Sequence, residues 1–148
     1  MGNAHKQKQI PPKKIAHIGI AVHCINTALS FYTEGLGLSV EKVETVESER
    51  VKIAFLKLGE SRIELLEPID KQSPIYTFLE KKGEGIHHIA LEVDQIDDRL
   101  AHLKSQGIRL IQEKPKKGAN NAKIAFLHPA SANGVLFELC QLQDRSEM

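Results

Sequence analysis

One internal register dominates this chain. Sliding the sequence against itself by 71 positions places Ile15 on Ile86, His17 on His88, Ile18 on Ile89 and Val22 on Val93, then Ile25 on Ile96 and Leu29 on Leu100. A period held across so many positions marks a duplicated supersecondary unit. Neither copy is long enough to bury a good core alone, so the 148 residues are read as two half-domains that need each other.

Each copy opens on a strand of period two. Ala16, Ile18, Ile20 and Val22 form one face, and Ile15, His17, Gly19 and Ala21 the other. The second copy sets Ile89, Leu91 and Val93 against His88, Ala90 and Glu92. A helix follows in each. Ala28, Leu29, Phe31, Tyr32 and Leu36 make the first apolar stripe, with Asn26 or Thr27 as cap and Gly35 and Gly37 as stop. Ile96, Leu100 and Leu103 make the second, with Asp94 as cap and Gly107 as stop. Three strands are then expected in each copy: 38–45, 50–57 and 61–67, the last two joined by a turn at Gly59-Glu60, and 109–113, 123–128 and 135–142, with Asn133-Gly134 as a hairpin signal before the last. Residues 114–121 read as a mobile loop. The expected organisation is a disordered tail over 1–13 and one domain over 14–142: module one at about 14–69, a linking helix at about 74–83 and module two at about 85–142. The expected fold class is α+β, two paired βαβββ modules sharing one concave mixed sheet.

Charge narrows the function. Lys plus Arg total 20 and Asp plus Glu 19, a formal charge of +1, so no basic excess exists to hold a nucleic-acid backbone. No apolar run approaches the ~20 residues of a membrane span. The opening residues are polar and lack the apolar centre of a secretory signal. A cytoplasmic protein without nucleic-acid or membrane partners is expected. Cys24 and Cys140 sit in apolar runs and read as buried free thiols.

The duplication makes two histidines informative. A pseudo-twofold axis between the modules would bring His17 and His88 together, and neutral imidazole is a common ligand for divalent transition metals. The same register leaves His87 facing the helix side. The closing strands supply a second pair. Glu64 in Arg62-Ile63-Glu64-Leu65-Leu66 corresponds to Glu138 in Leu136-Phe137-Glu138-Leu139-Cys140. One alternative is that both carboxylates point to solvent from half-exposed strands. The other is that a cation pairs with them, since an ionised carboxylate among apolar residues is otherwise costly. His17, Glu64, His88 and Glu138 would then form an N2O2 site for one divalent ion, with positions open to water or substrate. His23, His102 and His128 lack matched partners and are assigned local roles. Lys114, Lys116, Lys117 and Lys123 form a basic cluster, read as a solvated loop or as an anchor for the phosphates of a large acyl carrier.

Several segments together resemble the vicinal oxygen chelate superfamily, which takes in glyoxalases, bleomycin-resistance proteins and dioxygenases, and within it the methylmalonyl-CoA epimerase family. They are Ala16-His17-Ile18-Gly19-Ile20-Ala21-Val22, Glu64-Leu65-Leu66-Glu67-Pro68, Gly85-Ile86-His87-His88-Ile89-Ala90, Phe126-Leu127-His128-Pro129 and Gly134-Val135-Leu136-Phe137-Glu138-Leu139. The resemblance implies a divalent metal, cobalt or zinc first and nickel or manganese as alternatives, held by His17, Glu64, His88 and Glu138. Some epimerases carry Gln in place of Glu64. It implies an acyl-CoA substrate, a homodimer, and interconversion of (2R)- and (2S)-methylmalonyl-CoA by proton transfer at C2 through a metal-stabilised enolate. Glu138 is the catalytic acid/base it suggests. A second such group, a glutamate in some members, falls on Ile53 here, which leaves Glu47, Glu49, Lys52 or a metal-bound water for that role. A glyoxalase I-type lactoylglutathione lyase and a non-catalytic small-molecule-binding protein share the scaffold and stand as alternatives.

Overall fold

The structure is a computed structural model that describes residues 10–143. The expected tail lies largely outside them; Lys13, at its end, donates its backbone N–H to Glu92 O. The elements run β1 (Lys14–Ala21), α1 (Ile25–Ser30), β2 (Ser39–Val46), β3 (Val51–Leu58), β4 (Ser61–Pro68), α2 (Pro74–Lys82), β5 (Gly85–Glu92), α3 (Ile96–Ser105), β6 (Lys116–Lys117), β7 (Lys123–Leu127) and β8 (Phe137–Gln141). One eight-stranded mixed sheet carries the order β2-β3-β4-β1-β5-β8-β7-β6. β1 pairs with β4 and β5 with β8 in parallel, while β1 and β5 join the two modules antiparallel. Among the described residues no helix is long and apolar enough to cross a membrane.

The central pair carries the duplication into space. His17 lies opposite Ala90, Ile18 opposite Ile89 and Gly19 opposite His88. Ile18 and Ile89 are repeat equivalents, so the pseudo-twofold passes between them and sets the two histidines on either side. The register slips twice along this pair. Ala16 is extra on β1 and His87 is extra on β5, a bulge at the same repeat position in each copy.

The two sheet faces have separate cores. On the convex side, Val22, Ile25, Ala54, Leu56 and Leu65 pack with the α1 stripe, and Val93, Ile96, Leu100, Ala125 and Leu139 pack beneath α3. On the concave side, Ala21, Val51, Ile53, Phe55 and Leu66 meet Ile75 and Leu79 of α2. The sheet curls until its ends meet. Ala119, beyond β6, packs on this concave cluster, and Lys116 Nζ reaches Glu49 Oε1, in the turn between β2 and β3, at 2.5 Å.

Four local expectations change. The stretch 109–113 makes one isolated bridge, Leu110 to Leu127. Its ladder is broken because the Gln112 side chain takes the Phe126 N–H at 2.7 Å and Pro115 has no N–H to give. Within 114–121, Lys116–Lys117 instead forms the short β6 and Ala119–Asn121 a 3-10 turn. Neither Asn26, Thr27 nor Asp94 caps a helix. Cys24 and Gln95 occupy the N-cap positions without side-chain hydrogen bonds. The acceptors come from the closing strands: Glu67 Oε1 takes the Ile25 N–H at 2.7 Å and Gln141 Oε1 takes the Ile96 N–H at 2.9 Å. Finally, Cys140 is buried but Cys24 is exposed, because β1 has ended and the chain is turning into α1.

Candidate metal centre

The concave face encloses a cavity of about 650 Å³, and His17, Glu64, His88 and Glu138 all line it. All four are buried, at 8%, 5%, 6% and 5% exposure. Their strands explain the convergence. Glu64 enters on β4 beside Gly19, and Glu138 enters on β8 beside Ala90, the repeat equivalent of Gly19. The carboxylates therefore flank the histidines symmetrically, and neither faces solvent.

Three of the four form a tight cluster. Potential ligand atoms of His17, His88 and Glu138 lie within 4.8 Å of one another. The two Nε2 atoms face each other at 3.0 Å, and Glu138 Oε1 is 3.3 Å from His88 Nε2 and 3.8 Å from His17 Nε2. Glu64 stands at the back of His17, with Oε2 3.0 Å from Nδ1. His88 has its own partner at that position: its Nδ1 lies 3.0 Å from Nδ1 of His87. The His87 ring also rests edge-on against Phe78 of α2, at 5.0 Å between centroids. The expectation that His87 faces the helix side fails: α2 packs on the concave face, and His87 lines the cavity beside His88 instead of turning toward α1 and α3.

Gly19 makes this geometry possible. A Cβ there would stand 2.3 Å from Cε1 of His88, so any side chain would push the ring out of the cluster.

The electrostatics suit a cation. Burial, opposed by the Glu138 charge, lowers His17 to about 4 and leaves its imidazole neutral. Burial raises Glu64 to about 8, with the Glu138 charge adding to the effect. Burial acts upward on Glu138 too, but the His88 hydrogen bond and the neighbouring imidazoles outweigh it and hold this carboxyl below its ordinary value. Burial and then Glu138 push the Cys140 thiol up to about 12, so it stays protonated. The result is a buried carboxylate facing two imidazole Nε2 atoms with no Lys or Arg in the cluster, an arrangement that a divalent ion neutralises. The spacing fits as well. Metal–nitrogen bonds of about 2.0–2.1 Å put cis ligands about 2.9–3.4 Å apart, and the two Nε2 atoms fall in that range.

A profile of the Glyoxalase/Bleomycin resistance protein/Dioxygenase superfamily matches residues 16–126. The chain belongs to this superfamily. Human mitochondrial methylmalonyl-CoA epimerase is 40% identical over 129 residues, 86% of this chain and 73% of that protein. An uncharacterized Bacillus subtilis protein, YqjC, is 47% identical over 128 residues, 86% of this chain and 91% of that one. Among solved structures, a variant of Streptomyces coelicolor methylmalonyl-CoA epimerase in complex with 2-nitronate-propionyl-CoA is similar, with a TM-score of 0.85 and 36% identity over 89% of this chain and 96% of that one. Within the superfamily, the chain falls in the methylmalonyl-CoA epimerase branch and is an isomerase.

In this member of the superfamily, the matched histidines and carboxylates were legible before the fold. His87, Gly19 and the capping pair Glu67 and Gln141 were not. Glu67 and Gln141 each stand three residues after a matched carboxylate, which was a readable signal. The bulge at His87 left none, since it exists only in the pairing of two distant strands. His128 has a local role, accepting the Ala130 N–H at its Nδ1 at 3.0 Å to start a 3-10 turn. Both residues of Asn133-Gly134 have positive φ, as the hairpin signal requires, but inside a longer connection between β7 and β8.

Proposed function

We propose that this protein is a metal-dependent epimerase that interconverts (2R)- and (2S)-methylmalonyl-CoA. The observation that carries the proposal is the buried His17, His88 and Glu138 triad lining a cavity of about 650 Å³, in a chain 40% identical to the human epimerase. His17, Glu64, His88 and Glu138 are the proposed ligands, with cobalt or zinc as the ion. For Glu64, ligation means turning from His17 Nδ1 toward the triad. Bound there, a divalent ion supplies positive charge that stabilises the enolate developing as C2 loses its proton.

The chain's own residues then have distinct tasks. Glu138, kept ionised by its neighbours, is proposed to take the C2 proton on one face and return it in the reverse direction. Epimerisation needs a second group on the other face. Ile53 cannot serve, because its hydrocarbon side chain has no proton to exchange; it lines the cavity within the concave apolar cluster. Of Glu47, Glu49 and Lys52, Glu49 lines the cavity, on the module-one side, and is the proposed partner. Its pairing with Lys116 holds its carboxylate at the seam where the sheet ends meet. The concave apolar residues exclude water from the reacting carbon. A homodimer, which rests on the likeness to the epimerases, and a cytoplasmic location complete the proposal.

Proton exchange at C2 of methylmalonyl-CoA in deuterium oxide, followed by NMR, tests this reading. Exchange is expected with the CoA ester, lost on chelation and restored by cobalt or zinc. His17→Ala and His88→Ala are each expected to lose bound metal and to slow exchange by about 10³-fold or more. Activity confined to methylglyoxal plus glutathione would replace the epimerase with a glyoxalase. Full metal retention in both variants would sink the ligand set.

A further inference from the structure

We infer that His87 is a positioning residue, which accepts the Nδ1–H of His88 and thereby keeps the Nε2 lone pair of that ring turned into the triad. A neutral imidazole carries one N–H, and the hydrogen bond at one nitrogen decides which nitrogen is bare. His88 Nδ1 has His87 Nδ1 at 3.0 Å, while its Nε2 faces Glu138 at 3.3 Å and His17 at 3.0 Å. With the proton on Nδ1, the Nε2 atom is free to ligate. With the proton on Nε2, it would point into the space that the ion needs.

The bulge makes the contact possible. Adjacent residues on a regular strand point to opposite faces. His87 is the unpaired extra residue between the partners of Gly19 and Ile20, and the local kink brings its ring alongside that of His88. Phe78 backs it edge-on at 5.0 Å, so its orientation is fixed by packing. The repeat sharpens the assignment. The equivalent bulge residue in module one is Ala16, which offers His17 nothing, and there Glu64 holds Nδ1 instead. In this structure each histidine of the triad thus has one group behind its Nδ1, from a different source in each module; on ligation Glu64 leaves that place, whereas His87 keeps it.

The inference rests on the metal reading above but not on the identity of the substrate. It is tested by zinc affinity, measured by competition with a chromophoric chelator, together with melting of the metal-free proteins. His87→Leu keeps apolar packing against Phe78 and removes the acceptor; it is expected to weaken zinc binding about 10- to 100-fold. His87→Asn restores an acceptor near the Nδ1 position and is expected to recover affinity to within a few-fold of wild type. Leu affinity within twofold of wild type, or Asn as weak as Leu, overturns the inference. Long-range proton–nitrogen NMR of the zinc-loaded wild-type protein decides the matter even if His87→Leu does not fold. The proton of His88 is expected on Nδ1 and zinc on Nε2; the reverse overturns it. A wild-type chain that binds no zinc or cobalt would overturn the metal reading and this inference together. Normal wild-type uptake with an unaffected Leu variant would remove this inference alone.

Discussion

The two modules began as copies and now support the same centre by different means. Each contributes one histidine and one buried carboxylate, and each places a bulge at the same repeat position. Around that shared plan the chemistry has divided. Module one backs His17 with the carboxylate of Glu64 and leaves Ala16 at its bulge, whereas module two backs His88 with the imidazole of His87 and leaves Glu138 facing the triad. The opening strands differ too. Gly19 in module one yields its space to the His88 ring, while Ala90, its equivalent, sits opposite His17 with a methyl group in place. Pseudo-symmetry is thus kept where the backbone positions ligands and lost where side chains tune them.

The largest break in this comparison is expected at Gly19. Gly19→Ala puts a methyl group 2.3 Å from the His88 ring. Metal affinity should fall at least about tenfold as the ligand is displaced, and stability should fall by about 1–3 kcal/mol from overpacking. The mirror change, Ala90→Gly, should cost about 0.5–1 kcal/mol of stability and leave metal binding intact. Metal titration with thermal melting separates the two, and equal affinities would remove the special status of Gly19.

A smaller and pH-dependent difference should separate Glu64 from His87. In the metal-free protein, burial raises Glu64 from its ordinary 4.5 to about 8, so the folded state holds a proton that the unfolded chain releases. Its contribution is fully present below pH 4.5 and is lost as pH rises toward 8. His17 has the opposite sign. Lowered by burial from 6.5 to about 4, it favours folding above pH 6.5 and loses that contribution as pH falls toward 4. Between pH 6.5 and 8, Glu64 acts without His17. His87 is also lowered to about 4 by burial and stays neutral across this window. Metal-free wild type and His87→Asn should therefore both lose stability from pH 6.5 to 8, by at most about 1.4 kcal/mol per pH unit, roughly 3–5 °C in melting temperature. Glu64→Gln should flatten that decline. Melting curves in chelator that stay parallel across all three proteins would refute this account of Glu64.

The smallest expected effect is at the helix starts. Glu67→Ala removes a charged acceptor from the Ile25 N–H and should cost about 1–2 kcal/mol, while Gln141→Ala removes a neutral one from Ile96 and should cost about 0.5–1 kcal/mol. Glu67→Gln should fall between wild type and Glu67→Ala. A larger loss at Gln141 than at Glu67, read from denaturant melts, would contradict the ranking.

Much of the centre was readable beforehand because it depends on periodicity. The alternation in β1 and β5 put His17 and His88 on one face, and the apolar flanks of Glu64 and Glu138 marked buried carboxylates. The helix caps were missed for a physical reason. Asn26, Thr27 and Asp94 are good local acceptors, but side chains from β4 and β8 reach the same N–H groups through tertiary contact. The strand expected at 109–113 failed because one side-chain amide replaced a backbone carbonyl, a competition that composition does not register.

What the sequence determined by itself was the duplication, the two faces of each opening strand and the matched pairs of histidines and carboxylates. These follow from short-range rules, a strand period of two and a helical stripe, repeated in one register. Only the tertiary structure decided what stands behind each ligand. The bulges at Ala16 and His87 exist because β1 and β5, 71 positions apart in register, pair with two slips. The place of Glu64 behind His17 and of His87 behind His88 is settled by how distant strands meet, where a single residue of slip turns a side chain from one face to the other.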